Sequence, residues 1–148
     1  MKFINQFYKS YKKEIFLFFL MLGLELAIIF VLSQKNGLDI FFRNDSNEFR
    51  NIVENIIDRQ IFSLDGFAPY LPTNFRTPIY PFWLAAIYLI FSSFKSAIFI
   101  GAALFAFSAP LVYLIAKEIF SEKIALTSAI LFAIEPWAIF QSGFLVAE

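Results

Sequence analysis

The sequence predicts an all-α integral membrane protein, and three observations lead there. Of 148 residues, 59% are hydrophobic and 16% charged, against about 45–50% and about 25% in ordinary soluble domains. The mean hydropathy is +0.69. The apolar residues gather into charge-poor runs, several of them long enough to cross a bilayer. The expected architecture is three transmembrane helices, at about residues 15–33, 96–116 and 124–145. A loop over 34–95 carries an amphipathic helix and an interfacial or re-entrant helix, and the whole of 1–148 forms a single membrane module.

The first run, 15–33, is 19 residues long, enough at 1.5 Å per residue for a hydrocarbon core of about 30 Å. Lys2, Lys9, Lys12 and Lys13 precede it, so the positive-inside rule places the N-terminus in the cytoplasm and residue 34 outside. A cleaved signal peptide is the competing reading. The run is long for one, and no small-residue A-x-A-like cleavage site follows it.

Between 34 and 95 lie six of the twelve acids: Asp39, Asp45, Glu48, Glu54, Asp58 and Asp65. Phe49, Ile52, Val53, Ile56, Ile57 and Ile61 fall on one helical face, with Glu48, Arg50, Glu54, Asp58 and Arg59 around the rest. That spacing predicts an amphipathic helix over about 46–62, lying on the membrane surface or against the bundle. Asp45 and Glu48 stand three apart at its start, as in a capping box. Beyond it, Asp65-Gly66 and the prolines at 69, 72, 78 and 81 predict extended, turn-rich backbone.

The dense apolar stretch 79–91 has 13 residues, a length for an interfacial or re-entrant helix rather than a crossing. The stretches 96–116 and 124–145 have 21 and 22 residues. Lys117 and Lys123 favour the cytoplasm for the turn between them. This parity holds only if 79–91 does not cross, and it puts Asp45 and Glu148 on the same outer face.

Composition narrows the chemistry. Without His or Cys there is no imidazole or thiol catalysis and no disulfide, and a metal site would need oxygen ligands throughout. Twelve basic and twelve acidic residues cancel, which leaves no global electrostatic footprint for nucleic acid. The five glycines are too dispersed for a phosphate-binding loop. Glu25 and Glu135 fall within presumed spans that carry no Lys or Arg, where a lone charge costs roughly 2.5 kcal/mol or more. They are expected to be neutral and sharing hydrogen bonds, or to face a polar cavity.

Three short motifs carry a resemblance: Asp45-Ser46-x-x-Phe49, then Arg76-Thr77-Pro78-Ile79-Tyr80-Pro81, then Ala133-x-x-Pro136 followed by Ala147-Glu148. Their order and spacing over residues 10–148 resemble the N-terminal part of bacterial family-39-type glycosyltransferases. These are relatives of protein O-mannosyltransferases and aminoarabinose transferases in the C-type (GT-C) superfamily. The resemblance implies transfer of a sugar from a polyprenyl-phosphate donor to an acceptor hydroxyl on the extracytoplasmic face of the cytoplasmic membrane. Asp45 would be the catalytic base, and Glu148 a second acid that positions donor or acceptor. Arg76 would bind the lipid phosphate, and Tyr80 would line the substrate site. The implied partners are membrane lipid and the lipid-linked sugar; no cofactor is implied, and any need for a divalent metal stays open. Members of that family are several-fold longer, so the sequence is expected to be the front part of a longer enzyme.

Plainer roles compete for each residue. Asp45 fits a helix N-cap worth about 1 kcal/mol, Arg76 an interfacial arginine snorkelling to headgroups, Tyr80 an aromatic belt, and Glu148 an ordinary exposed carboxylate. At the level of the whole chain, the alternatives are a small non-catalytic membrane scaffold or assembly partner, and a channel subunit that uses Glu25 and Glu135 as an ion path.

Overall fold

A computed structural model describes residues 11–42, 44–137 and 139. Every regular element among them is helical: α1 (Lys12–Asn36), a 3-10 turn (Gly37–Phe41), α2 (Asn44–Arg59), α3 (Ile79–Phe91), α4 (Ser96–Phe105), α5 (Ser108–Ile119) and α6 (Glu122–Ala133). Two stretches are long and apolar enough to cross a membrane, Lys12–Lys35 and Ser96–Ile119. Only 22% and 33% of their apolar windows are buried, whereas the core helix of a soluble domain hides most of its surface. Phe16, Phe19, Phe30, Val31, Leu111 and Ile115 stand among the exposed large side chains, and such continuous apolar exposure suits lipid.

α1 ends where Gly37 takes φ 61° and ψ −164°, a conformation essentially restricted to glycine. Its N–H bonds back to the Ser33 carbonyl and turns the chain into the 3-10 segment. α4 and α5 are two halves of one helix, since Ala106 and Phe107 keep right-handed helical dihedrals. Pro110 causes the break: it has no N–H for the Ala106 carbonyl four residues back. Phe107 N–H bonds instead to Leu104 O, three residues earlier, at 3.2 Å.

The interior has two parts. At one end Leu17 and Met21 of α1 meet Ala106, Ala109 and Tyr113, with Ala125, Ala129 and Ala133 of α6. Alanines at i, i+4 and i+8 let the α5 and α6 backbones approach closely, the small-residue packing of membrane helices. At the other end Ile29 and Phe41 meet Phe49 and Val53 of α2, Leu84, Ala85 and Ile87 of α3, and Ala97, Ile98 and Ala102 of α4. The apolar face of α2 is therefore spent inside the chain, against the bundle.

Two ion pairs fix the run of the helices. Lys13 at the start of α1 bonds Glu122 at the start of α6, so the first residues of α1 and the turn after α5 share one end. At the other end Lys95 Nζ lies 2.8 Å from Asp39 Oδ1. The segment 39–95 thus returns to the end of the bundle it left. α3 has 13 residues and is about 20 Å long, shorter than a hydrocarbon core of about 30 Å.

The amphipathic helix runs Asn44–Arg59 rather than 46–62, because Gln60 adopts φ 56° and reverses the chain. Its N–H bonds the Ile56 carbonyl at 3.2 Å, an αL cap made without glycine. The span expected over 124–145 is helical for Glu122–Ala133 and then interrupted: Ile134 leaves the helix, Glu135 is irregular, and Pro136 opens a new helical turn, the position at which a missing N–H costs least. Its last part falls outside the described residues.

Candidate functional site

Three of the four site residues read from sequence, Asp45, Arg76 and Tyr80, come together where the first turn of α2 meets the start of α3. Asp45 and Glu48 stand one turn apart on α2, with acidic side chains at the N-terminal end where the helix dipole favours them. Arg76, from the irregular segment ahead of α3, reaches both. Its Nη2 lies 3.1 Å from Asp45 Oδ2 and 2.6 Å from Glu48 Oε2, and its Nε donates to the same Glu48 oxygen at 2.9 Å. The guanidinium also sits 5.2 Å from the Phe49 ring centre and 5.1 Å from that of Phe75, within cation–π range. Phe49 meets Tyr80 edge-on at 4.9 Å, and Tyr80 stacks on Trp83 at 5.5 Å.

Exposure is graded across this group. The Arg76 side chain is 19% exposed, those of Asp45 and Glu48 48% and 41%. The cation is held inside while the carboxylates face outward. Its hydrogen bonds to Glu48, with the charges of Glu48 and Asp45 behind them, hold the guanidinium still more firmly protonated than usual. Burial pushes the Tyr80 phenol up to about 12, so its hydroxyl is a donor and not a base at neutral pH.

A polar strap delivers Arg76 to this place. Asn55, buried on α2, donates to the carbonyls of Ser63 at 3.0 Å and Asp65 at 2.9 Å, and Asn51 donates to Leu64 O at 3.1 Å. Asp65 Oδ2 then accepts from Leu71 N–H at 2.8 Å, and Thr73 N–H bonds Phe62 O at 2.9 Å. The return segment therefore runs back along α2 from its reversal at Gln60 to its first turn. Arg59 bonds Asn55 Oδ1 and covers the Tyr70 ring at 4.3 Å.

Some expectations change in detail. Glu48 does not turn back on its own helix as a capping box would require; its carboxylate is taken by Arg76. Arg76 in turn faces two carboxylates, with Nη1 making no hydrogen bond among the described residues. Glu148 lies outside the described residues. Among those residues no three acidic side chains converge as metal ligands. Glu25 is 1% exposed with both carboxyl oxygens lacking a hydrogen-bond partner, so it does not share a hydrogen bond with Glu135. Sequence reading missed Glu48 as a partner of Arg76 and missed the asparagine strap. The signal for the strap was Asn51 and Asn55, one turn apart on the border of an otherwise apolar face.

Set beside protein-family models, characterised proteins and solved structures, the chain matches none of them.

Proposed function

We propose that α1 and the α4–α5 helix cross the cytoplasmic membrane, with the N-terminus inside, and that the cluster around Arg76 transfers a sugar from a polyprenyl-phosphate donor on the extracytoplasmic face. The lysine distribution and the antiparallel run of the two helices support the orientation. The observation that carries the chemistry is Arg76 placed within 3.1 Å of Asp45 and 2.6 Å of Glu48, at the end of the bundle where a lipid-linked substrate would present its headgroup.

In this reading the acceptor oxygen bonds the anomeric carbon as the bond from that carbon to the phosphate oxygen breaks. The electron pair leaves with polyprenyl phosphate, and the acceptor's proton passes to Asp45. Arg76 holds Asp45 Oδ2 and so orients the carboxylate, leaving Oδ1 for the proton. The unspent Nη1 edge of the guanidinium turns toward the departing phosphate, where fixed positive charge stabilises the charge that develops. Glu48 is a positioning residue that grips Nε and Nη2. Tyr80 stays protonated and can donate to a sugar oxygen, and Glu148 would join from the next outer segment. The scaffold alternative would have to dock through the exposed Phe67, Leu71 and Phe75 of the loop, because Phe49, Ile52 and Val53 of α2 are buried within the chain.

The test is transfer of radiolabelled mannose from polyprenyl-phosphate mannose in membranes of cells that express the protein. Asp45→Asn is expected to lower transfer by about a hundredfold or more at unchanged abundance, with Asp58→Asn as the surface control. Transfer by Asp45→Asn equal to that of the control would refute the assignment.

A further inference from the structure

A second polar recess lies on the opposite flank of α2 from Arg76. It encloses about 360 Å³ between the 3-10 turn, α2 and the connection from α3 to α4, and is lined in part by Asp39, Asn47, Arg50, Glu54, Ser92 and Lys95. It sits where α1 ends and α4 begins, the level at which two membrane-crossing helices would leave the bilayer. Lipid headgroups occupy that level.

Beside the Asp39–Lys95 ion pair that closes the loop, the recess holds polar groups not used by the fold. Arg50 makes no hydrogen bond among the described residues: its Nε is 3.9 Å from Glu54, and its guanidinium lies 5.2 Å from the Phe94 ring centre. The ring and the carboxylate fix its direction and leave its donors unspent. The Asn47 amide and Ser92 hydroxyl are likewise without a hydrogen bond among the described residues, and Ser92 is held at φ 52°, a left-handed conformation that non-glycine residues disfavour. Lys95 Nζ stands 2.8 Å from Asp39. Cations, amide and hydroxyl suit a phosphodiester, while Asp39 and Glu54 add two carboxylates that a purely anionic ligand would meet unfavourably and an amine would meet well.

We propose that this recess binds a headgroup carrying both a phosphodiester and a primary amine, Arg50 and Lys95 taking the phosphate and Asp39 and Glu54 the ammonium, with phosphatidylethanolamine of the surrounding bilayer as its source. The proposal rests on the crossing of α1 and α4–α5 but not on sugar transfer, and it is read out by lipid selectivity alone.

Native mass spectrometry of the detergent-purified chain, titrated with dioleoyl phosphatidylethanolamine, dioleoyl phosphatidylglycerol or free phosphoethanolamine, tests it. The wild type is expected to retain the ethanolamine lipid about tenfold better than the glycerol lipid, and Arg50→Gln to lose that retention. Asp39→Asn removes a partner of the amine and is expected to shift preference toward the glycerol lipid, a gain that misfolding cannot imitate. Equal retention of both lipids by the wild type would overturn the proposal, as would unchanged selectivity in Arg50→Gln and Asp39→Asn. Displacement of the lipid by an equal concentration of free phosphoethanolamine would overturn the assignment to a lipid.

Discussion

At the scale of single residues the fold turns on a few charges whose partners lie far away in sequence. Glu122 accepts from both Lys13 Nζ and the Tyr113 hydroxyl, the latter at 3.2 Å, and ties α1, α5 and α6 together. Lys13 first and Tyr113 second hold its carboxyl below the ordinary carboxylate value of 4.5. A carboxyl lowered on folding stabilises the folded state above its unfolded value, and that contribution is lost as pH falls through the lower, folded value. Glu122→Gln is therefore expected to melt below wild type at pH 7, and the difference should vanish as pH falls well under 4.5. Paired thermal melts across that range check it; a pH-independent difference would show that the charge is not its source. Asp45, Arg76 and Tyr80 were legible because each belongs to a short motif. Glu48 was not, because acids three apart are the spacing both of a capping box and of two carboxylates offered on one face to a distant arginine. Only the return of the chain 28 residues later decides between them. Glu25 was legible as costly, but its lack of any partner depends on which side chains surround it.

At the scale of elements, apolar patterning located the helices and both ends of α3, Ile79–Phe91, but not where α2 stops. Ile61 continues the apolar spacing of α2, yet the backbone has already reversed at Gln60, because Asn51 and Asn55 draw the carbonyls of 63–65 back along the helix. Periodicity sees side-chain type and is blind to that competition. The break before Pro110 and the interruption at Glu135-Pro136 obey a local rule, the missing proline N–H, and divide segments whose hydropathy is continuous. The alanine seam carries no hydropathy signal of its own, but its packing is tight: Ala125, Ala129 and Ala133 are fully buried against α5 and α1. Ala129→Leu adds volume inside this fully buried seam and is expected to cost about 1–3 kcal/mol. Thermal unfolding in detergent measures it, and Leu131→Ala on the exposed face of the same helix should change little by comparison.

At the scale of the whole molecule, the arrangement is two long apolar helices running antiparallel, with a loop that leaves and re-enters at one end. Asp39–Lys95 closes that loop and Lys13–Glu122 closes the opposite end. The Arg76 cluster and the polar recess flank α2 on the loop side, so any chemistry on a lipid-borne substrate depends on that side facing out of the cell. Sequence proposed an orientation through lysine bias and parity, and the ion pairs bring residues 13 and 122 together at one end and 39 and 95 at the other. The helix expected over 124–145 was less legible, because its apolar run conceals a break at Glu135. The most direct measurement exploits the absence of cysteine in the chain. Single-cysteine variants Asp58→Cys in α2 and Ser121→Cys in the turn between α5 and α6 are exposed to an impermeant maleimide in intact cells, then after permeabilisation. The account predicts labelling of position 58 from outside and of position 121 only once the membrane is opened. Labelling of both from the same side, or of 121 alone from outside, would contradict it.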